Sequence, residues 1–201
     1  MNVFIKPQQV QRILIDLQCT WGVAGGWALD LFLDRPTRGH EDVDVAIFRE
    51  DQLILQGYFS SRGWSLEYVH NSKFYSWPNG ERLRLPINGI WCRASSGPLD
   101  LIEVLLNECE GKDFVFRRNS SIKTPIERAF IRSKSGIPVL APEIVLLYKS
   151  KRPMRDKEQQ DFSNMLNALD VQRRQWLAES IATNDPEHPW LYDLRDATRV
   201  L

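Results

Sequence analysis

The stretch GGWALDLFLDRPTRGHEDVDVAIF, residues 25–48, contains a run in which acidic and apolar residues alternate, Asp42, Val43, Asp44 and Val45. In a β-strand, successive side chains point to opposite faces, so this alternation predicts both carboxylates on one face. Two carboxylates a few ångströms apart raise each other's pKa unless a cation lies between them. The stretch therefore predicts a strand whose acidic face binds a cation.

The same stretch begins with two glycines, Gly25 and Gly26, between the short apolar run WGVA (21–24) and the helix-like segment WALDLFLD. A strand that ends in Gly-Gly and enters a helix exposes backbone N–H groups, and the missing Cβ atoms let an anion approach closely. Phosphates bind such places. Mg²⁺ prefers one or two carboxylates completed by water and phosphate oxygens, which Asp42 and Asp44 could supply. Together these features predict a nucleoside triphosphate as ligand.

A third carboxylate is expected on the segment LDLIEV (99–104). Asp100 is flanked by apolar residues on a predicted strand, whereas Glu103 points to the opposite face if that strand is regular. We therefore predict Asp100 as the third metal ligand and as the base for an attacking hydroxyl. Two Mg²⁺ ions about 3.5–4 Å apart could then activate the hydroxyl and stabilise the leaving pyrophosphate.

The composition of the whole chain narrows the function classes. Its 201 residues are 43% hydrophobic, enough for a sizeable core, and its 26 acidic and 26 basic residues give a formal net charge of zero. This balance provides no global attraction to nucleic acid or to an anionic membrane. Cys19, Cys92 and Cys109 have no CxxC spacing, and no apolar run is long enough to span a bilayer. We expect a cytoplasmic protein without a membrane partner.

Periodicity divides the chain into an α/β part and a helical part. Val10, Ile13, Leu14 and Leu17 predict an amphipathic helix, and residues 50–62 predict another. Short β segments follow between residues 64 and 118: SLEYVH, KFYSW, ERLRL, GIWCR, LDLIEVL and DFVFRR.

After the polar linker NSSIKTP the helical period returns. Pro142 suits the first turn of a helix, and further helices are predicted over 155–168 and over 171–183, the latter capped by Asp170. The prediction is an α+β fold with an α/β domain over 1–118 and a helical C-terminal subdomain over 119–201.

Gly25-Gly26-Trp27 followed by the segment from Thr37 to Asp44, TRGHEDVD, resembles the aminoglycoside 2''-adenylyltransferase-like branch of the polymerase-beta nucleotidyltransferase superfamily. The resemblance implies a polymerase-beta-like mixed sheet flanked by helices, and Asp42, Asp44 and Asp100 as catalytic metal ligands. A second segment is similar to the K…R-x-K-D-x-x-D pattern of related members. It comprises Lys149, Arg155, Lys157, Glu158 and Asp161, with Glu158 in place of the more usual Asp.

Gly25, Gly26, Arg38 and Lys149 are the predicted nucleotide-binding residues. Lys149 could contact phosphate or simply be a solvated helix residue. Arg38 could contact phosphate or brace the aspartates, and bracing is the role expected for His40.

By this resemblance the protein is a Mg²⁺-dependent enzyme that moves a nucleoside monophosphate from a triphosphate to a hydroxyl of an antibiotic-like small molecule. The alternatives are a toxin-type enzyme that modifies tRNA or a protein, and a nucleotide-binding module without catalysis. The neutral overall charge argues against tRNA as the acceptor, because tRNA binding favours a basic surface. Aromatic residues of the β-rich middle, such as Trp91 and Tyr75, could stack on a sugar or fill the core. The sequence leaves the acceptor, the preferred nucleotide and the oligomeric state open.

Overall fold

A ten-stranded mixed sheet forms the centre of the computed structural model, which describes residues 3–196 of the chain. The strands are β1 (Trp21–Val23), β2 (Asp44–Phe48), β3 (Ser65–His70), β4 (Lys73–Ser76), β5 (Gly89–Arg93), β6 (Leu101–Glu110), β7 (Asp113–Val115), β8 (Lys123–Pro125), β9 (Phe130–Arg132) and β10 (Pro138–Leu140). The helices are α1 (Ile5–Ile13), α2 (Gly25–Leu33), α3 (Gln52–Ser60), α4 (Ile126–Ala129), α5 (Pro142–Lys149), α6 (Asp156–Leu166), α7 (Val171–Asn184) and α8 (Trp190–Asp196).

The main sheet has the order β4-β3-β5-β6-β2-β1-β10-β9, and β7 and β8 extend from β6. β2 pairs with β6 in parallel, and so does β1 with β10, whereas the other pairings are antiparallel. The sequence-predicted α+β class with a mixed sheet and flanking helices is therefore confirmed. Within residues 3–196, no helix is long and apolar enough to cross a membrane.

Two local signals in the C-terminal part act as the sequence predicts. Pro142 lies in the first turn of α5, where its missing N–H has no helical partner to lose. The side chain of Asp170 caps α7 by accepting a hydrogen bond from the Arg173 N–H at 2.9 Å.

The structure corrects three sequence-based expectations about the strands. β2 begins at Asp44, so Asp42 lies in the bend before the strand rather than on its face. The segment ERLRL (81–85) forms no strand. The sheet also continues beyond residue 118, because β10 pairs with β1, so the predicted boundary between 118 and 119 falls inside the sheet. Residues 197–201 of the predicted C-terminal subdomain lie outside the described residues.

The central strands bury one face and leave the other partly open. On β5, Ile90 and Cys92 are fully buried, and on β6 Ile102 and Val104 are fully buried. The residues between them, such as Trp91 and Glu103, are only half-buried. We call the face that carries these residues the open face. It is the face on which a ligand can approach the sheet.

Gly22 provides a test of how tightly the centre of the sheet is packed. A Cβ atom at Gly22 would lie 2.8 Å from the Val139 carbonyl carbon and 3.1 Å from Phe130 Cδ1. Gly22→Ala should therefore lower the free energy of unfolding by about 1–3 kcal/mol, measured by urea denaturation. Gly57→Ala is the matched control, because among the described residues no heavy atom lies within 4 Å of a Cβ atom there.

Gly57 lies inside α3, where glycine is entropically unfavourable. Its replacement by alanine should raise the free energy of unfolding by about 0.5–1 kcal/mol. The packing argument fails if Gly22→Ala and the wild type unfold at the same urea concentration.

Candidate active site

Asp44 and Glu103 lie beside each other on the parallel strands β2 and β6. The register is held by the Glu103 N–H, which donates to the Val43 carbonyl at 3.2 Å. Burial raises the pKa of Asp44, although the positive charge of Lys149 acts in the opposite direction. Burial also raises the pKa of Glu103 to about 7, with a further contribution from the charges of Asp44 and Asp42. These two side chains form a carboxylate pair that a cation would stabilise.

Asp100 is not placed where the sequence analysis expected it. It is exposed and precedes β6, and its backbone carbonyl accepts a hydrogen bond from the Ala94 N–H at 2.9 Å. Because the residue opposite Asp44 is Glu103, Asp100 is three residues away along the chain, which corresponds to about 10 Å in extended backbone. The carboxylate that lies beside Asp44 is therefore Glu103 and not Asp100.

The signal that could have identified Glu103 is the alternation within β6 itself. Ile102 and Val104 are apolar and buried, so the residue between them must face the other side of the sheet. Which residue of β6 lies next to Asp44 depends on how β2 pairs with β6. That register cannot be read from a single sequence.

The two glycines leave room for side chains of the site. Gly25 has φ of +60°, and a Cβ atom there would lie 2.0 Å from Asp44 Oδ2. A Cβ atom at Gly26 would lie 2.3 Å from His40 Cε1 and 2.7 Å from Arg38 Nη2. Glycine is therefore required at both positions for Asp44, His40 and Arg38 to lie against the start of α2.

The start of α2 also presents unpaired backbone donors to the cleft. Its N-cap is Ala24, whose methyl side chain cannot accept a hydrogen bond from the first turn. The first N–H groups of a helix carry partial positive charge and bind anions. Gly25 and Ala24 line the same cleft as Asp44, as the predicted phosphate cradle requires.

A fully buried carboxylate, Asp30, holds the loop that leads to β2. It accepts hydrogen bonds from the backbone N–H of Thr37 at 3.1 Å and from its hydroxyl at 2.5 Å. Its other oxygen lies 2.7 Å from His40 Nε2. The His40 ring packs against Trp27, with ring centroids 4.7 Å apart. His40 thus bonds to Asp30, and its expected role of bracing Asp42 and Asp44 stays a prediction.

Asp161, on α6, joins two of the predicted nucleotide-binding residues. The guanidinium of Arg38 donates to both of its carboxylate oxygens, at 2.9 and 3.0 Å, and Lys149 Nζ lies 3.0 Å from Oδ2. Burial acts to raise the pKa of Asp161, but the bonds from Arg38 and the charge of Lys149 outweigh it and lower the pKa overall. Asp161 therefore stays ionised and orients both cations.

Glu158, which replaces the aspartate of the related pattern, is also buried. It accepts a hydrogen bond from the backbone N–H of Arg155 at 2.9 Å and from the Arg155 guanidinium at 2.6 Å. The bond from the Arg155 N–H to Glu158 satisfies the backbone donor of the N-cap residue of α6. The longer glutamate side chain thus keeps a capping function within the segment.

The acidic pair and the cationic segment line two adjoining clefts of about 440 and 340 Å³. Residues shared by both clefts are Asp44, Lys149, Arg155 and Lys157. The larger cleft adds cations that the sequence analysis did not select: Arg117, Arg118 and Lys151. Carboxylates and cations in the same cleft complement a polyphosphate with its divalent cation.

A fit to Mg²⁺ rests on the chemistry of these donors. Among residues 3–196, no group of three or more His, Cys, Asp or Glu side chains forms a ready-made coordination cage. Mg²⁺ needs no such cage, because it keeps several waters and is completed by substrate phosphates. Asp44 and Glu103, with Asp42 two residues before β2, match that requirement.

The N-terminal part of the chain is similar to a family of adenylyltransferases. Residues 8–83 match the sequence model of the family described as aminoglycoside-2''-adenylyltransferase. The match includes Gly25, Gly26, Asp42 and Asp44 and ends before Glu103. The predicted resemblance to the aminoglycoside 2''-adenylyltransferase-like branch is thereby confirmed. No curated protein matches the chain at a significant level.

Two solved structures extend the likeness over most of the chain. The crystal structure of ANT(2'')-Ia in complex with adenylyl-2''-tobramycin is 13% identical, with a TM-score of 0.59, over 89% of this chain and 98% of that one. The lincosamide antibiotic adenylyltransferase LnuA, with lincomycin bound, is 16% identical, with a TM-score of 0.55, over 82% and 98%. At these identities the likeness establishes a shared fold.

Asp161→Asn should destabilise the protein, because it removes the charge that Arg38 and Lys149 share. We expect a loss of about 1–3 kcal/mol in the free energy of unfolding at pH 7. A carboxyl whose pKa is lowered on folding stabilises the protein above its unfolded pKa, here 3.8, and that contribution disappears as the pH falls through the folded pKa. The difference between variant and wild type should therefore shrink below about pH 4.

Urea denaturation at several pH values between 7 and 3 measures this difference. Asp156→Asn is the control, since Asp156 is exposed on the same helix and its replacement should cost less than about 1 kcal/mol. A pH-independent difference for Asp161→Asn would show that its charge is not what holds the two cations.

Proposed function

We propose that this protein is an enzyme that transfers a nucleoside monophosphate from a triphosphate to a hydroxyl of an antibiotic-like small molecule, with release of pyrophosphate. The observation that carries the proposal is that the paired carboxylates Asp44 and Glu103 line one cleft together with Lys149, Arg155 and Lys157. ANT(2'')-Ia and LnuA, which share the fold, are named for adenylyl transfer to antibiotics. This favours ATP as the donor.

Asp44 and Glu103, together with Asp42, are the residues that would hold Mg²⁺. Bound there, Mg²⁺ supplies positive charge that stabilises the charge developing on the phosphate oxygens. Asp42 is exposed next to the strand, so its side chain is free to turn toward the ion. We assign the third carboxylate to Glu103 in place of Asp100, because Glu103 is the residue that the sheet register puts beside Asp44.

The triphosphate would be held from two sides. The N–H groups at Gly25 and Gly26 point from the start of α2 toward the phosphates. Lys149, fixed by its ion pair with Asp161, offers a positioned charge on the opposite side. Arg38 adds positive charge next to Gly26 while it ties the loop before β2 to α6. Orientation of the phosphates in this way favours in-line attack.

Glu103 is suited to accept a proton at its carboxylate. The acceptor hydroxyl oxygen forms a bond to the α-phosphorus, the bond from that phosphorus to the bridging oxygen breaks, and pyrophosphate leaves. The hydroxyl proton passes to a carboxylate oxygen of Glu103. Glu103 lies beside Asp44 on the open face of the sheet, where its carboxylate is placed to act as the general base.

The expected cytoplasmic location is part of this proposal. Cys19, Cys92 and Cys109 are free thiols, which suits a reducing compartment where ATP is available.

Mg²⁺ should stabilise the wild-type protein against thermal unfolding, because it neutralises the repelling carboxylates. Asp44→Asn should have a higher Tm than the wild type without Mg²⁺ and should gain no further stability when Mg²⁺ is added. Differential scanning calorimetry with 0 and saturating Mg²⁺ measures both effects. Asp100→Asn, as the control, should keep the Mg²⁺-dependent shift. A full shift in Asp44→Asn would exclude Asp44 as a ligand.

Glu103→Gln should lower the rate of transfer by about 10²–10⁴ while the protein still binds the triphosphate, because the amide cannot take the proton. Asp100→Asn should stay within a few-fold of the wild-type rate. Single-turnover transfer from labelled ATP, in parallel with calorimetric titration of ATP, separates rate from affinity. The acceptors to compare are lincomycin, tobramycin and a tRNA fraction. The assignment reverses if Asp100→Asn loses the activity and Glu103→Gln retains it.

A further inference from the structure

The acidic pair belongs to a longer row of residues that crosses the open face of the sheet. In the antiparallel pairing of β5 with β6, Trp91 lies opposite Glu103, and in the pairing of β3 with β5, Glu67 lies opposite Trp91. Directly paired residues point to the same face. The row therefore runs from Asp44 through Glu103 and Trp91 to Glu67, at about 5 Å per strand.

Around this row the open face carries a small aromatic surface. Phe74, on β4, is 49% exposed and packs edge-on against Trp91, with ring centroids 5.2 Å apart. Arg93 lies on the same strand face as Trp91, two residues further along β5. We call Glu67, Phe74, Trp91 and Arg93 the aromatic platform. It begins one strand away from Glu103, within the reach of a molecule whose hydroxyl contacts that carboxylate.

Gly89 places no side chain between the aromatic platform and the acidic pair. It lies next to Trp91 on the open face of β5, and a Cβ atom there would come within 3.3 Å of Glu103 Oε1. The absence of a side chain at Gly89 thus leaves Glu103 accessible from the side of the platform.

The charge of the platform is balanced within itself. Arg93 Nε lies 3.1 Å from Glu67 Oε2, so the carboxylate of the platform is already paired. The Arg93 guanidinium lies 5.3 Å from the Trp91 ring centroid and 5.9 Å from that of Phe74. A cation thus already occupies the region over both rings. A ligand with several ammonium groups would meet the charge of Arg93 there, without an unpaired platform carboxylate to offset it.

We propose, on the basis of the proposed function, that the aromatic platform binds the acceptor, and that this acceptor is a hydroxylated ring compound with no charge or a single positive charge. An apolar ring face would stack on Trp91 and Phe74 while a hydroxyl reaches Glu103. This class excludes a polycationic aminoglycoside as the preferred acceptor.

The test compares ring compounds that differ in charge: a neutral glycoside, lincomycin with one basic amine, and tobramycin with several. Binding to the wild-type protein with Mg²⁺ and a non-hydrolysable ATP analogue is measured by saturation-transfer NMR and calorimetry, and transfer is measured with labelled ATP. The neutral or singly charged compounds should bind and react at least about tenfold better than tobramycin. Preferential binding of tobramycin, or no binding of any neutral or singly charged compound, overturns the proposal.

Trp91→Ala should raise the KM for the preferred acceptor about tenfold and leave the affinity for the ATP analogue unchanged. Tyr75→Ala is the matched control. Tyr75 is 43% exposed on the same hairpin, but it stacks on Tyr68 and points to the opposite face. Its replacement should change the KM by less than twofold. Equal effects of the two substitutions would show that the platform does not bind the acceptor.

Arg93→Glu reverses the charge and places two unpaired carboxylates on the platform. This variant should bind tobramycin about tenfold more tightly than the wild type does. Arg93→Gln, which only removes the charge, should show a smaller gain. No gain in either folded variant contradicts the charge argument.

The same experiments separate the two proposals. If the protein binds Mg²⁺ and ATP and transfers the nucleotide to tobramycin in preference, the proposed function stands and the acceptor class is wrong. If it binds no nucleotide, the proposed function fails first, and the acceptor proposal falls with it.

Discussion

The parallel pairing of β2 with β6 is the constraint on which the rest of the site depends, because it puts Asp44 and Glu103 side by side. Burial raises the pKa of both carboxyl groups, and the charges of Asp44 and Asp42 raise that of Glu103 further, so the ionised pair is unfavourable without a cation. Lys149, His40 and Lys157 act to lower the pKa of Asp44, but burial outweighs them. Such a site gains stability when a divalent cation binds, which couples the fold to the ligand that the proposed reaction needs.

Another carboxylate, Asp161, connects the N-terminal and C-terminal parts of the chain at the site. It lies on α6, yet it holds Arg38 of the loop before β2 and Lys149 at the end of α5. The loop is held from its other side by Asp30, through Thr37 and His40. Buried carboxylates that accept charged hydrogen bonds orient their partners closely. The contacts of Asp161 and Asp30 therefore fix the loop before β2 relative to α2, α5 and α6.

The parts of the site that depend on local chemistry could be predicted from the sequence. Gly25 and Gly26 are singled out in the sequence because a missing Cβ lets an anion approach, and the structure shows that the same space holds the side chains of Asp44 and His40. Asp100 was preferred to Glu103 because strand alternation alone does not say which face of β6 meets Asp44. β10 was missed because three residues, Pro138–Leu140, are too few for a periodic signal.

The sequence by itself determined the mixed α/β character, the glycine turn before a helix, and the residue types of the proposed phosphate and metal site, because each of these follows from short-range spacing and side-chain chemistry. Tertiary structure alone decided which carboxylate stands beside Asp44, which buried carboxylate orients Lys149 and Arg38, and which aromatic residues share the face of the acidic pair. These features depend on strand register and on contacts between residues far apart in the chain, such as Arg38 and Asp161. Side-chain alternation within one strand leaves the pairing between strands undetermined.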